Sequence, residues 1–132
     1  MLVKIGREIL DNLLYAAAAA PDREICGLLF GADGGVDRAE PVDNVAENPS
    51  DSFEIDPRAL FAAFRAERAG GPRLIGHYHS HPNGSAEPSA RDLAAADPGK
   101  YWLIIGDGTA RLWLAEESGF TEVQMIVNQD RA

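Results

Sequence analysis

One cysteine, Cys26, stands in a chain of 132 residues. That scarcity excludes an intrachain disulfide and every zinc site that needs two or more thiolates. Long apolar runs are missing too: no stretch approaches the ~20 residues that span a bilayer. The opening Met1-Leu2-Val3-Lys4-Ile5 leads straight into Arg7, Glu8 and Asp11, unlike the unbroken apolar segment of a signal peptide. Basic residues are few, 12 against 21 acidic ones, for a formal net charge of −9. No cluster of Lys and Arg offsets that charge, so a phosphate backbone would be repelled. Membrane and nucleic-acid roles drop out. The expectation is a soluble, cytoplasmic protein whose acidic surface would suit a basic patch on another protein better than a nucleic acid.

Repeats, low-complexity tails and linkers are also absent. With 45% hydrophobic and 25% charged residues, the composition is that of one globular domain over residues 1–132, with no room for a second core. Its elements follow from periodicity. A short strand at Leu2–Ile5 precedes Ile9, Leu10, Leu13, Leu14 and Ala17 at helical spacing, with Pro21 closing the helix. Ile25–Phe30 is an apolar run of strand length that turns at Asp33-Gly34-Gly35 into a returning strand near Val36–Val45. Asp56-Pro57 starts a second helix with Leu60, Phe61 and Phe64 on one face, and Gly70-Gly71 stops it. Arg73–His79 reads as a strand and Ser89–Ala96 as a short helix; Tyr101–Ile105, Arg111–Ala115 and Thr121–Val127 read as three more strands. The order predicts an α/β domain: a single mixed, largely antiparallel sheet with about three helices packed on it. Small domains with exposed sheet edges often pair, which leaves a homodimer open.

The chemistry gathers in Gly76-His77-Tyr78-His79-Ser80-His81-Pro82 and in Ser89-Ala90-Arg91-Asp92, and all three histidines lie within five residues. On a continuing strand, positions 77, 79 and 81 share a face. Two imidazoles there can meet one metal ion, and a carboxylate from the next helix can complete a three-ligand site with one position open for water. Such a donor set suits Zn²⁺ and, less exclusively, other divalent first-row ions. Simpler readings stand beside this one. A lone histidine is ordinarily structural, and Ser89-x-x-Asp92 is by itself a helix capping box. Capping does not prevent Asp92 from reaching a ligand.

Taken together, His79-x-His81, seven residues and then Ser89-x-x-Asp92 resembles the signature of the JAMM metallopeptidases, the active branch of the MPN-domain family. Glu24-Ile25-Cys26-Gly27-Leu28-Leu29-Phe30-Gly31 looks like that family's first core strand with its glutamate. The resemblance extends through Asn44–Pro57, Ile75–Pro82, Leu93 and Tyr101–Gly106. It implies an MPN/JAMM-like fold, broadly akin to cytidine deaminases, and one zinc ion per chain held by His79, His81 and Asp92. It implies Glu24 as general base and proton shuttle, and Ser89 as a donor to the oxyanion. His77 is left to a supporting role or to packing. The implied activity is hydrolysis of amide or isopeptide bonds after the Gly-Gly tail of a ubiquitin-like or sulfur-carrier protein, since the chain looks like the compact stand-alone prokaryotic members. The competing reading within the family is a non-catalytic scaffold or interaction module. A zinc nucleoside deaminase needs a Pro-Cys-x-x-Cys pair, which one cysteine excludes. Cys26, inside an apolar run, reads as a packed core residue, with a sensing role left open by its closeness to Glu24.

Overall fold

The computed structural model describes residues 2–129. Alternation sets β1 (Leu2–Gly6), where Val3 and Ile5 are buried between exposed Leu2 and Lys4. The period then changes, and α1 (Arg7–Ala18) buries Leu10 and Leu13. The Ala19 and Ala20 N–H groups close its end on Tyr15 and Ala17 carbonyls, just before Pro21. β2 (Cys26–Ala32) is apolar without alternation because its two faces feed two cores. Leu29 joins Val3, Ile5, Leu103 and Leu112 in the larger one, while Cys26, Leu28 and Phe30 join Ile55, Ala63 and Leu74 in the other.

β3 (Gly35–Val42) returns antiparallel to β2. After a long loop, α2 (Pro57–Arg68) starts on Asp56, whose carboxylate accepts the Arg58 N–H. Then come β4 (Leu74–Ser80), α3 (Ala90–Ala95), β5 (Tyr101–Gly106), β6 (Thr109–Glu116) and β7 (Gly119–Asn128). The two-residue turn between β5 and β6 is Asp107-Gly108, with φ of 52° and 74°. Positive φ at both positions is what a tight hairpin turn matching the strand twist requires.

The strands close into a ring in the order β1-β3-β2-β4-β5-β6-β7. Three of its junctions, β1–β3, β1–β7 and β4–β5, are parallel. The sheet is therefore mixed, as expected, but closed, and less antiparallel than the sequence suggested. The segment containing α3 is a crossover that carries the chain back to start β5 in the direction of β4. α1 instead leads into β2, which runs opposite to β1, so the returning β3 lies parallel to β1. Closure between β1 and β3 rests on two residue pairs, Lys4 with Gly35 and Ile5 with Val36. A closed ring also removes most of the open edge on which the expectation of a homodimer was based.

The second helix departs from expectation as well. Ala63 and Leu60 meet the sheet, whereas Phe61 and Phe64 remain 60% and 44% exposed. Phe61 lies about 100° around the helix from Leu60, beyond the face that touches β2. Among the described residues no helix is long and apolar enough to cross a membrane.

Leu103 is fully buried in the larger core. Its replacement by Ala is expected to cost about 2–5 kcal/mol of unfolding free energy. Leu2→Ala, at a half-exposed position, should change it by less than about 0.5 kcal/mol. Urea denaturation of the two variants checks both figures.

Candidate metal centre

The site lies on the outer face of β4, where the strand alternation turns His77 and His79 away from the buried Tyr78. His79, flanked by Cys26 on β2 and Ile104 on β5, is fully buried. His81 follows the last strand residue, yet its N–H donates to the Ile105 carbonyl at 2.7 Å, so the chain continues beside β5. The third group comes from α3. Ser89 is its N-cap: Ser89 Oγ accepts the Asp92 N–H at 3.1 Å, and Asp92 Oδ2 accepts the Ser89 N–H at 2.8 Å. The capping box is present, and it is what aims the 4%-exposed Asp92 at the histidines.

His79 Nε2 and His81 Nε2 are 3.0 Å apart, and each is 3.2 Å from Asp92 Oδ2. Ligand bonds of about 2.0–2.1 Å at a tetrahedral angle separate donors by ~3.3 Å, so this triangle fits a Zn²⁺-sized ion. The proton inventory points the same way. His81 Nδ1 is 2.8 Å from the Ser85 carbonyl, which only accepts, so Nδ1 carries the hydrogen. In neutral His81 the Nε2 lone pair then faces a carboxylate oxygen. Two lone pairs that close need a proton or a metal cation between them.

A second carboxylate borders the pair. Glu24, 6% exposed, has a ligand atom within 4.8 Å of those of His79 and His81, and the three could hold a metal ion. Its backbone is fixed from the loop over residues 43–56: the Glu24 N–H donates to the Pro49 carbonyl at 2.7 Å, and Asn44 Nδ2 donates to the Glu24 carbonyl at 2.9 Å. Asn44 also bonds Ser52 O and accepts from the Ala46 and Glu54 N–H groups. The loop so tied lays Phe53 flat on His79, 4.1 Å between ring centroids. From the other side, Ser80 Oγ accepts the Ile25 N–H at 2.9 Å, joining the start of β2 to the end of β4. Sequence reasoning assigned no role to Asn44, Phe53 or Ser80. The only signal was an asparagine ahead of a turn-rich loop, and such a residue often bonds its neighbouring backbone.

The two carboxylates are driven in opposite directions. Burial pushes Glu24 up to about 7, with Asp92 and Asp51 adding to the rise and His81 opposing it. Burial would raise Asp92 too, but hydrogen bonds from His79, His81 and the Ser89 N–H reverse the sign and hold it well below the usual carboxylate range. Burial lowers His79 despite Asp92. For the half-buried His81, burial is outweighed by Asp92, the Ser85 carbonyl and Glu24, and its pKa rises.

His77 packs edge-on against Trp102, 4.4 Å between ring centroids, and burial lowers its pKa to about 3. Packing is thus its visible role, and its Nδ1, like that of His79, is buried with no hydrogen-bond partner. Cys26 is 2% exposed. Burial, with Glu24 and Asp43 adding, pushes its thiol up to about 12. A buried thiol that carries so little thiolate at neutral pH fits a packed core residue. Glu24, Phe53, His77, Ser89, Asp92 and Trp102 all line one cleft of about 730 Å³. Ser89 Oγ, which accepts from Asp92, keeps its own proton to donate.

The pattern of the Prok-JAB family, the prokaryotic homologues of the JAB domain, matches residues 6–116. The chain is 38% identical over 125 residues to the desampylase of Haloferax volcanii, covering 90% of this chain and 88% of the other. It is 37% identical over 127 residues to a Thermus thermophilus protein named a probable TtuB-protein conjugate cleaving protease, covering 96% and 84%. Among solved structures, a protein from Desulfitobacterium hafniense matches with a TM-score of 0.84 and 31% identity over 98% of this chain and 94% of that one. A JAB1/MPN domain protein from Archaeoglobus fulgidus shares the fold at a TM-score of 0.61 and 24% identity, covering 94% and 97%.

Glu24 sets a pH dependence in the metal-free protein. Its folded pKa, about 7, lies above the ordinary 4.5, so between those values the native state binds more protons than the unfolded one. Stability is then full below pH 4.5 and falls as pH rises to about 7, by on the order of 2–3 kcal/mol. Glu24→Gln, which cannot ionise, is expected to narrow the loss in melting temperature between pH 5 and pH 8. Chelator-treated protein melted at the two pH values measures it; an unchanged gap would contradict the burial of that charge.

Proposed function

The chain belongs to the Prok-JAB family of prokaryotic homologues of the JAB domain, and from that premise we propose that it is a zinc-dependent isopeptidase acting on conjugates of a ubiquitin-like or sulfur-carrier protein. The observation that carries the reading is the triangle of His79 Nε2, His81 Nε2 and Asp92 Oδ2, with edges of 3.0 and 3.2 Å, bordered by a carboxyl whose pKa is near 7. In this reading His79, His81 and Asp92 hold one Zn²⁺, and Glu24 stays outside the ligand set. The split in carboxyl acidity supports that division, since a ligand must be anionic and a proton shuttle must change state near the working pH. Zinc held there would polarise a carbonyl and raise the acidity of water.

The remaining work falls to the chain. Glu24 takes a proton from the attacking water and delivers it to the leaving amine, and a pKa near 7 suits both transfers. The Ser89 hydroxyl donates to the oxygen on which charge develops, a contribution on the order of 3 kcal/mol when such a donor is removed elsewhere. Phe53, stacked on His79, and Trp102 wall the site with apolar surface, which strengthens the electrostatics inside it. The substrate class comes from the relatives named desampylase and conjugate-cleaving protease. A Gly-Gly tail fits the steric demand, because a backbone without side chains passes closely over a recessed site.

Elemental analysis of purified protein should find about one zinc per chain. His79→Ala, His81→Ala and Asp92→Ala should each lose most of it, whereas His77→Ala keeps it. Glu24→Gln should retain zinc while kcat falls ~10²-fold or more; retention of metal in Asp92→Ala with loss in Glu24→Gln would exchange the two assignments.

Substrate recognition is tested by comparing a carrier–protein fusion with its isolated tail peptide. The folded carrier should raise kcat/KM well above that of the peptide, because remote binding energy is used at the reacting centre. Equal values would leave a generic peptidase, and efficient cleavage of a Val-Val tail would remove the steric argument.

A further inference from the structure

The segment between the two halves of the site, residues 82–88, has no regular secondary structure, yet both its ends carry groups of the triangle. At one end His81 Nδ1 donates to the Ser85 carbonyl at 2.8 Å, so the direction of that imidazole is set by a loop peptide. At the other end the segment delivers Ser89 and, through the cap, Asp92. Something outside the segment must hold it still.

Strand β6 supplies the hold. Arg111 and Trp113 are two apart, on one face of β6, and Trp113 lies opposite Trp102 in the ladder with β5. Trp113 Nε1 donates to the carbonyl of buried Ala86 at 3.0 Å. Arg111 Nη1 pairs with Glu87 Oε1 at 3.3 Å. The Arg111 guanidinium also stands 4.8 Å over the Trp113 ring, and its Nε and Nη2 bond Glu122 on β7 at 2.8 and 2.6 Å. Glu122 thus braces the arginine, the arginine braces the tryptophan, and the tryptophan holds Ala86, the residue after Ser85. Beneath the loop, Gly106 leaves bare backbone: a Cβ there would run into the Gly84 oxygen and the Ser85 carbonyl carbon. The loop is seated on β5 from below and tethered from β6 at its side.

We infer that Trp113, braced by Arg111, is a positioning residue for the metal centre: its N–H fixes the Ala86 peptide and thereby the Ser85 carbonyl that orients His81. Neither side chain touches the triangle. The inference rests on the metal-site reading above, and it makes a separate claim about how that site is kept in register. The Trp113 tether is the principal one, because the Arg111–Glu87 pair is largely solvent-exposed and exposed pairs contribute little.

The test uses Trp113→Phe, which keeps a ring and removes the N–H, beside Thr121→Ala, which removes the Thr121–Glu116 hydrogen bond between β7 and β6 and lies outside the Glu122–Arg111–Trp113 chain. Three readouts apply: zinc affinity by chelator competition, the visible spectrum of the Co²⁺-substituted protein, and hydrogen exchange of residues 82–88 without metal. Trp113→Phe is expected to exchange faster in that segment, to alter the cobalt bands, and to bind zinc roughly 10-fold more weakly, as lost outer partners of metal ligands do. Thr121→Ala should resemble the wild type in all three. Glu87→Gln, at an exposed position that does not endanger the fold, should speed exchange in the same segment and weaken zinc binding about twofold. Wild-type exchange, spectrum and affinity in Trp113→Phe would overturn the inference. So would loss of zinc in Thr121→Ala equal to that in Trp113→Phe, since that would reflect general loosening. Failure of the site reading itself looks different: His79→Ala would then bind zinc as tightly as the wild type, and the inference would fall with it.

Discussion

Two imidazole nitrogens and a carboxylate oxygen within 3.0–3.2 Å of one another, in nearly dry surroundings, form the constraint around which this domain is arranged. Burying such groups is costly unless a cation or a complete set of hydrogen bonds compensates. Each neighbouring element supplies part of that compensation. β4 turns two histidines to one face, the cap of α3 aims Asp92 and neutralises part of its charge with a backbone N–H, and the Ser85 carbonyl settles the tautomer of His81. Phe53 covers the result.

The same burial acts on Glu24 with the opposite outcome. Asp92 has three donors and becomes a firm anion, while burial dominates at Glu24 and makes the carboxyl protonatable near neutrality. Two carboxyls beside one imidazole pair are thereby suited to different tasks, by the hydrogen bonds and neighbouring charges each receives. Asn44 and the Pro49 carbonyl fix the Glu24 backbone, so its reach toward the histidines follows from the loop fold and not from the residue type.

The closed ring makes this arrangement stiff. β2 and β4 each lie between an inner core and an outer layer, so the strand that bears the histidines is held from both faces. α2 covers only part of that outer layer, and Phe64 borders the cleft instead of filling it. Apolar surface left open beside a polar centre is a common property of ligand sites.

Much of this was legible in the chain itself. Alternation at Leu2–Ile5, helical spacing from Ile9 to Ala17 and the turn residues Asp33-Gly34-Gly35 are local signals, and the elements formed where they pointed. The spacing of His79, His81, Ser89 and Asp92 is local as well: strand alternation turns the two imidazoles to one face and a one-turn cap joins Ser89 to Asp92, while the irregular segment between the two pieces is held by the rest of the fold. Closure of the sheet was not legible, because two residue pairs between β1 and β3 leave no mark in either segment. Nor was the exposure of Phe61 and Phe64, since helical spacing defines a face and not how much of it a neighbour covers. The opposite acidities of Glu24 and Asp92, the stacking of Phe53 and the tether from Trp113 to Ala86 depend on groups tens of residues apart. The sequence alone determined which chemical groups were present and which local geometry each would take. Only the tertiary structure decided how much water and how many donors each one kept, because solvation and hydrogen-bond supply are set by whatever the folded chain brings alongside.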